Sequence, residues 1–350
     1  MHRLVRGFVS RTATFALATV IAAPTSVFAQ ASYESPSGTV EVLGLRRWTL
    51  AMLRDSIRRH APGQDLHDAA CIITLRDSLH FAEASVNHWS EIKPGAPERS
   101  GLTIKVVEPQ NRARVKWDNR QRDEFSGLLP DYAGVILPIT DTSGVVLDGR
   151  FTRWLQFYTR DSVAQHGALS GARKGSDADA HRLWTFLDQH QSDADRQRAL
   201  RLLRVDGFWV NRYVAAAVLV NFGAQDSTWH ALVHALRDPN ENVRWSAAMS
   251  LTQLPRRKVD WKPVAADLRL LLGGTNLTAI ETVFQMLDRT QVSPSLASTL
   301  LRGNADWVLD HLASRAPQAS MLAHNLLVRL NNGVDLGSKR AAWKKWTASL

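Results

Sequence analysis

Two stretches of this chain, 32 residues apart, match position by position: Asp206, Arg212, Ala215, Ala216, Leu219 and Phe222 correspond to Asp238, Arg244, Ala247, Ala248, Leu251 and Leu254. Self-similarity at a fixed period marks stacked units that cannot bury their apolar faces alone, so it restricts the second half to an array. Another 32 residues on, Asn276, Ala279, Ile280, Val283 and Met286 keep the apolar pattern while the Asp and Arg are lost. The array degrades outward. From Asp179 the helical period dominates, broken by Gly, Pro, Asp and Asn, and the spacing predicts about eleven helices, near residues 180, 195, 210, 230, 245, 265, 282, 298, 310, 325 and 343.

The run Asp238-Pro-Asn-Glu-Asn-Val-Arg244, followed by Ala247, Ala248, Leu251 and Leu254, resembles HEAT repeats of the short bacterial type. The earlier copy departs from the pattern at Asn211, where Val is expected. The residue types have physical reasons: Asp caps an inner helix, Ala lets neighbouring helices approach, and Arg can pair with the Asp of an adjacent turn. The resemblance implies an all-α, HEAT-like solenoid over residues 180–350.

At the other end, Arg3, Arg6 and Arg11 precede an uncharged stretch from Thr12 to Ala23, Pro24 breaks any helix, and Val27-Phe28-Ala29 follows. This is signal-peptide anatomy over residues 1–29, too short and too Thr-rich for a spanning helix, so the expectation is an exported chain, periplasmic or otherwise secreted, with no transmembrane segment after cleavage. Peripheral envelope association is compatible with the charge, +10 for the whole chain and, without those three Arg, +7. The single Cys71 excludes an intramolecular disulfide and a multi-cysteine zinc module.

Between the leader and the array lies a small α+β pattern. Thr39 to Gly44 alternates as a strand; Trp48 to His60 is one amphipathic helix, stopped by Pro62-Gly63; a second helix is expected from Asp65 as N-cap, with Cys71, Ile72, Leu75 and Leu79 on one face. Phe81 to Ser90 and Leu102 to Glu108 read as strands on either side of the turn Lys93-Pro-Gly-Ala-Pro97. The landmarks Leu43-Gly44, Pro62-Gly63, Leu79-His-Phe81 and Leu102 to Glu108 resemble a POTRA domain, the βααββ polypeptide-docking module, over residues 38–108. With no barrel and no second copy in the chain, a direct role in barrel insertion does not carry over. Residues 109–166 form a bridging segment, in which Arg114 to Trp117 and Gly134 to Ile139 suggest short strands and Trp154, Phe157 and Tyr158 are expected at the junction; residues 167–179 are small and polar, hence a linker.

Chemistry-bearing motifs are scarce. Asp226, His230, His234 and Asp238 recur at four-residue spacing, but Trp229, Leu232, Val233 and Leu236 form the buried stripe, which turns both His to the flank without an identifiable third ligand. No metal, cofactor or catalytic residue is assigned, and Cys71 falls on an apolar face where a thiol is inert. Twelve Trp exceed ordinary usage, and eight of them lie from Trp184 onward. Trp343 and Trp346, at helical spacing among bases, read as a terminal cap or as partner contacts; nucleic acid is not an expected partner for an exported chain. The strand after the second helix would be a sheet edge of the POTRA kind, with Ser85, Asn87 and Trp89 on its solvent face and neither Pro nor Lys to defend it. The function these readings predict is a non-enzymatic scaffold for an unidentified protein partner. The alternative is an enzyme or small-ligand-binding protein with an interdomain site. Intact-mass measurement on exported protein should find a chain beginning at or near Gln30; retention of the leader in a membrane fraction would favour an anchor.

Overall fold

The computed structural model describes residues 31–119, 127, 129–132 and 183–350, together with the backbone of Ala133 and of strands β5 (Ile139–Asp141) and β6 (Gly144–Val146). The expected leader, the linker and most of the bridging segment, with Trp154, Phe157 and Tyr158, lie outside the described residues. No helix among the described residues is long and apolar enough to cross a membrane.

A small mixed sheet comes first. β1 (Ala31–Ser35) turns into β2 (Gly38–Leu43), and after two helices come β3 (Glu83–Glu91) and β4 (Arg99–Val107). The order is β1-β2-β4-β3, with β2 and β4 parallel and the other pairs antiparallel. Gly38 allows the tight approach to β4: its φ is +113°, and a Cβ there would stand 2.4 Å from the Ser100 carbonyl oxygen. α1 (Leu50–His60) is capped by Thr49, whose hydroxyl accepts the Met52 N–H. α2 runs from Cys71–Ile73 into a π-helical turn, Thr74–Ser78. One sheet face, Val40, Val42, Ala84, Leu102, Ile104 and Val106, packs on Leu53, Ile57, Leu66, Cys71 and Leu75. Burial there pushes the Cys71 thiol up to about 12, so it stays protonated.

Three local expectations are corrected. β1 precedes the expected first strand and extends the unit at its N-terminal side. Asp65 does not cap a helix, which starts only at Cys71; its carboxylate is instead taken by Arg54, at 2.9 and 2.6 Å, and by Arg58 at 2.6 Å. The Arg54 hydrogen bonds hold it far below the usual carboxylate range. Arg114 to Trp117 is not a strand: a 3₁₀ turn, Pro109–Arg114, is followed by an irregular strap.

From residue 183 the described chain is helical. After α3 (Pro130–Ala133) come α4 (183–188), α5 (Asp193–Val205), α6 (Trp209–Val218), α7 (Asp226–Ala235), α8 (Glu241–Gln253), α9 (Ala265–Leu272), α10 (Ile280–Arg289), α11 (Ala297–Leu301), α12 (Asp306–Leu312), α13 (Pro317–Leu330) and α14 (Arg340–Ala348). Helices α6, α8, α10 and α13 pack in succession, and α5, α7, α9 and α11 do the same beside them. Their apolar residues form one cluster that takes in Leu43 and Val107 from the sheet unit.

The 32-residue repetition is visible atom by atom. Asp206 accepts the Phe208 N–H at 2.7 Å, and Asp238 accepts the Asn240 N–H at 2.9 Å. Arg212 Nη1 donates to the carbonyls of Asp206 and Gly207; Arg244 Nη1 does the same to Asp238 and Pro239. Arg212 then reaches forward to Asp238 in a two-pronged pair, both bonds 2.9 Å and both side chains at most 3 % exposed. The helix cap itself is Asn240, which accepts from Asn242 and Val243, so Asp238 ties two units together rather than capping α8.

Asp238→Ala leaves the Arg212 charge buried without its carboxylate and should cost about 3 kcal/mol or more. Arg329→Ala, at a half-exposed side chain 3.6 Å from Asp288, should stay within about 0.5 kcal/mol. Equilibrium urea unfolding distinguishes them; equal losses would remove the special role of the Arg212–Asp238 pair.

Candidate functional site

The second face of the sheet is polar, and it is turned to the helices. Because strand residues alternate, Glu41, Thr103, Lys105, Glu83, Ser85 and Asn87 share this side. Lys105 is wholly buried, and its Nζ meets Glu281 Oε1 on α10 at 3.1 Å. Asn87 Nδ2 donates to the same oxygen at 3.2 Å. Burial acts to raise the Glu281 pKa, but the Lys105 ammonium and the Asn87 amide outweigh it, so the carboxyl lies below its usual value. His311 on α12 is fully buried beside them; burial and Lys105 lower its pKa, and Nδ1 lies 2.7 Å from the Trp307 carbonyl. That bond places a proton on Nδ1, and Nε2 lies 3.9 Å from Glu281 Oε1.

Other bonds close the seam around this centre. Glu41 accepts Thr103 Oγ1 at 2.6 Å, the Arg315 N–H at 2.8 Å and the Ser314 hydroxyl. Glu108 at the end of β4 accepts the N–H groups of Arg46, Arg47 and Trp48. Asp310 binds Arg46 at 2.6 Å and Arg340 at 2.8 Å, linking the sheet unit to both α12 and α14. Trp307 is wedged between Gly44 and Gly274, where a Cβ on either would lie within 2.6 Å of the indole.

The bridging segment is held where the helical repeat departs from its own pattern. Asn211, in the place of an expected Val, donates to the Gly127 carbonyl at 2.8 Å and accepts the Leu129 N–H at 3.2 Å. Thr275, 64 residues further on in the same column, accepts the Lys116 N–H and donates to the Arg114 carbonyl. Arg244 corresponds to Arg212, but Leu270 stands where its Asp should be, and its guanidinium lies 4.2 Å above the Trp117 ring instead.

The expected partner-binding residues are distributed differently from the sequence reading. Among the described residues β3 is an outer strand, and the strap is bonded to the helices, the Lys116 N–H donating to Thr275 and Arg237 donating to the Lys116 carbonyl. Ser85 and Asn87, however, face the helices and not solvent: Ser85 is buried and Asn87 is bound to Glu281. Polar alternation predicts a wet face, and in the structure that face lies against polar protein groups. Trp89 is half-buried and covers Gly101 across the ladder. Trp343 is buried, donates to the Gly337 carbonyl at 2.6 Å and meets Trp346 edge to face, an arrangement that caps the end of the helices. His230 is turned to the Asp260 carbonyl, and no group of three or more His, Cys, Asp or Glu suited to a metal occurs among the described residues.

On the outer side of β3, Arg76 donates to the Ala84 carbonyl, which fixes that group as pointing away from β4. Antiparallel alternation then turns the backbone groups of Val86 and His88 outward too. Beside Arg76 is a cavity of about 270 Å³ lined by Arg244, Trp245, Met249, Asn276 and Thr282. Glu83 lies next to it; burial raises its pKa against the opposing pull of Arg76, Arg244 and the Leu277 N–H. No family model, no curated protein and no solved structure matches this chain at a significant level.

Breaking the buried pair from one side, by Lys105→Met or Glu281→Leu, should each cost about 3 to 5 kcal/mol, while the double variant should recover part of the loss. The pH dependence has opposite signs at the two glutamates. Glu281, with a depressed folded pKa, stabilises above its unfolded value of about 4.3 and loses that stabilisation as pH falls. Glu83, with a raised one, favours the fold at low pH and loses that contribution as pH rises. Glu83→Gln should therefore be neutral or stabilising at pH 7, and Glu281→Gln destabilising, in urea titrations across pH.

Proposed function

We propose that this protein is an exported, non-enzymatic protein-binding scaffold of the cell envelope, in which a POTRA-like sheet unit is seated on a HEAT-like solenoid. The observation that carries the reading is the outer side of β3. From Val86 to Glu91 this strand has no neighbouring strand among the described residues, and it contains neither Pro nor Lys. Native sheets usually cover or charge such an edge; an uncovered one is a template for an added strand. The succession of helices in two rows, with the Arg212–Asp238 rung between units, supports the solenoid part of the reading.

The seam between sheet and helices favours a scaffold over an interdomain enzyme. Lys105 and Asn87 both bind Glu281, and Thr103 and Ser314 both bind Glu41, so these polar groups between the units serve cohesion. The occupant expected at the edge is an extended polypeptide segment of a partner, pairing through its backbone with Val86 and His88.

Because the His88 side chain is exposed and its N–H points outward, His88→Pro should remove partner capture with little change in melting temperature. Ser85→Pro breaks the ladder to β4 and should lower the melting temperature itself. Photocrosslinking from position 88 in envelope extract tests this; capture undiminished by His88→Pro, or no polypeptide crosslinked from Val86, His88 or Ser90, contradicts the reading.

A further inference from the structure

The end of the strap meets the helices at a histidine held on both ring nitrogens. His234 on α7 places Nδ1 2.8 Å from Asp267 Oδ2 on α9 and Nε2 3.1 Å from Asp118 Oδ2 on the strap. A carboxylate oxygen only accepts, and a neutral imidazole carries one N–H, so both bonds exist together only in the imidazolium. We propose that His234 is a protonation-dependent clamp: charged, it ties the strap to α7 and α9, and on losing its proton as pH rises it lets the end of the strap lift from the helices.

The surroundings identify His234 as the deciding group. Arg237, one turn further on, binds Asp267 Oδ1, and its Nε donates to the Lys116 carbonyl at 3.0 Å. The Asp118 N–H donates to the Arg237 carbonyl at 2.6 Å, and the Lys116 N–H to Thr275. His230, one turn earlier, is turned away to Asp260. Burial raises the Asp267 pKa, but His234 and Arg237 outweigh it and the carboxyl lies below its usual value, so Asp267 is an anion through the range in which an imidazole titrates. Among the described residues, the charged groups facing the clamp include Asp118 and Lys116 from the strap, Arg237 from the end of α7 and Asp267 from α9.

The consequence of opening lies one residue away. Trp117 is the ring beneath Arg244, and Arg244 lines the 270 Å³ cavity beside β3. Release of Asp118 loosens Trp117 and so uncovers one face of the Arg244 guanidinium at the cavity wall, while its Nη1 stays bonded to the Asp238 and Pro239 carbonyls. The clamp therefore couples pH to the shape of the surface next to the sheet edge, whether or not a partner docks there.

Hydrogen exchange of the Lys116 and Asp118 amides, corrected for intrinsic rates, tests the clamp on the whole protein between about pH 5.5 and 8.5. Loss of one charge-assisted bond should lower their protection about tenfold or more at the upper pH, while the amides of β4 stay constant. In His234→Gln the strap amides should exchange rapidly at both pH values, and Asp118→Asn, which keeps the shape of the side chain, should blunt the pH response without altering the helices. Equal strap protection at both pH values in the unaltered protein, or a full pH response surviving in His234→Gln, overturns the proposal.

Discussion

The arrangement of this molecule depends on a lysine below the surface. Lys105 stands in the middle of β4 on the face opposite the apolar core, and its ammonium reaches no water. A buried charge is tolerable only with a partner of opposite sign and further hydrogen bonds around the pair. Glu281 on α10 supplies the charge and Asn87 on β3 a second donor to the same carboxylate. The sheet unit thus has two faces of different character, one packed on its own helices through apolar side chains and one joined to the helical region through polar bonds together with Leu43 and Val107. α10 is placed by its own apolar packing, through Ile280, Val283, Phe284 and Leu287, and its Glu281 then supplies the charge that the inward face of the sheet requires.

The docking of the bridging segment follows a related logic. A regular helical array presents the same side chains at each step and satisfies them within the array, as Arg212 and Asp238 do. A polar residue becomes available to another part of the chain only where the pattern is broken. Asn211, Thr275 and Leu270, which stands in place of an Asp opposite Arg244, are such breaks; Asn211 receives Gly127 and Leu129, Thr275 receives Arg114 and Lys116, and Arg244 receives Trp117. The non-repetitive segment is thereby held along the helices at positions that depart from the 32-residue pattern.

Sequence periodicity was informative wherever burial was apolar. The helix of Leu50–His60, the strands around Val40 and Ile104, and the eleven helical segments of the described residues from 183 onward all follow hydrophobic spacing. Polar spacing was ambiguous, because alternation cannot distinguish a face against water from a face against other polar protein groups. For that reason Ser85 and Asn87 read as solvent-facing. β1 was invisible for another reason: Ala31–Ser35 has little apolar content and becomes a strand through pairing across the Gly38 approach. Asp65 was a sound N-cap by local rules and was diverted by two arginines of α1, a tertiary effect that no local window contains. The clamp around His234 could not be read either, since its two carboxylates are 116 and 33 residues away along the chain.

If the polar seam welds sheet and helices into one body, the two must unfold together. The direct measurement is native-state hydrogen exchange against denaturant, comparing slow amides of β4 with those of α8 and α10. The account predicts that their opening free energies converge on one global value and fall together. Opening of the sheet at a distinctly lower free energy, with α8 and α10 still protected, would contradict it.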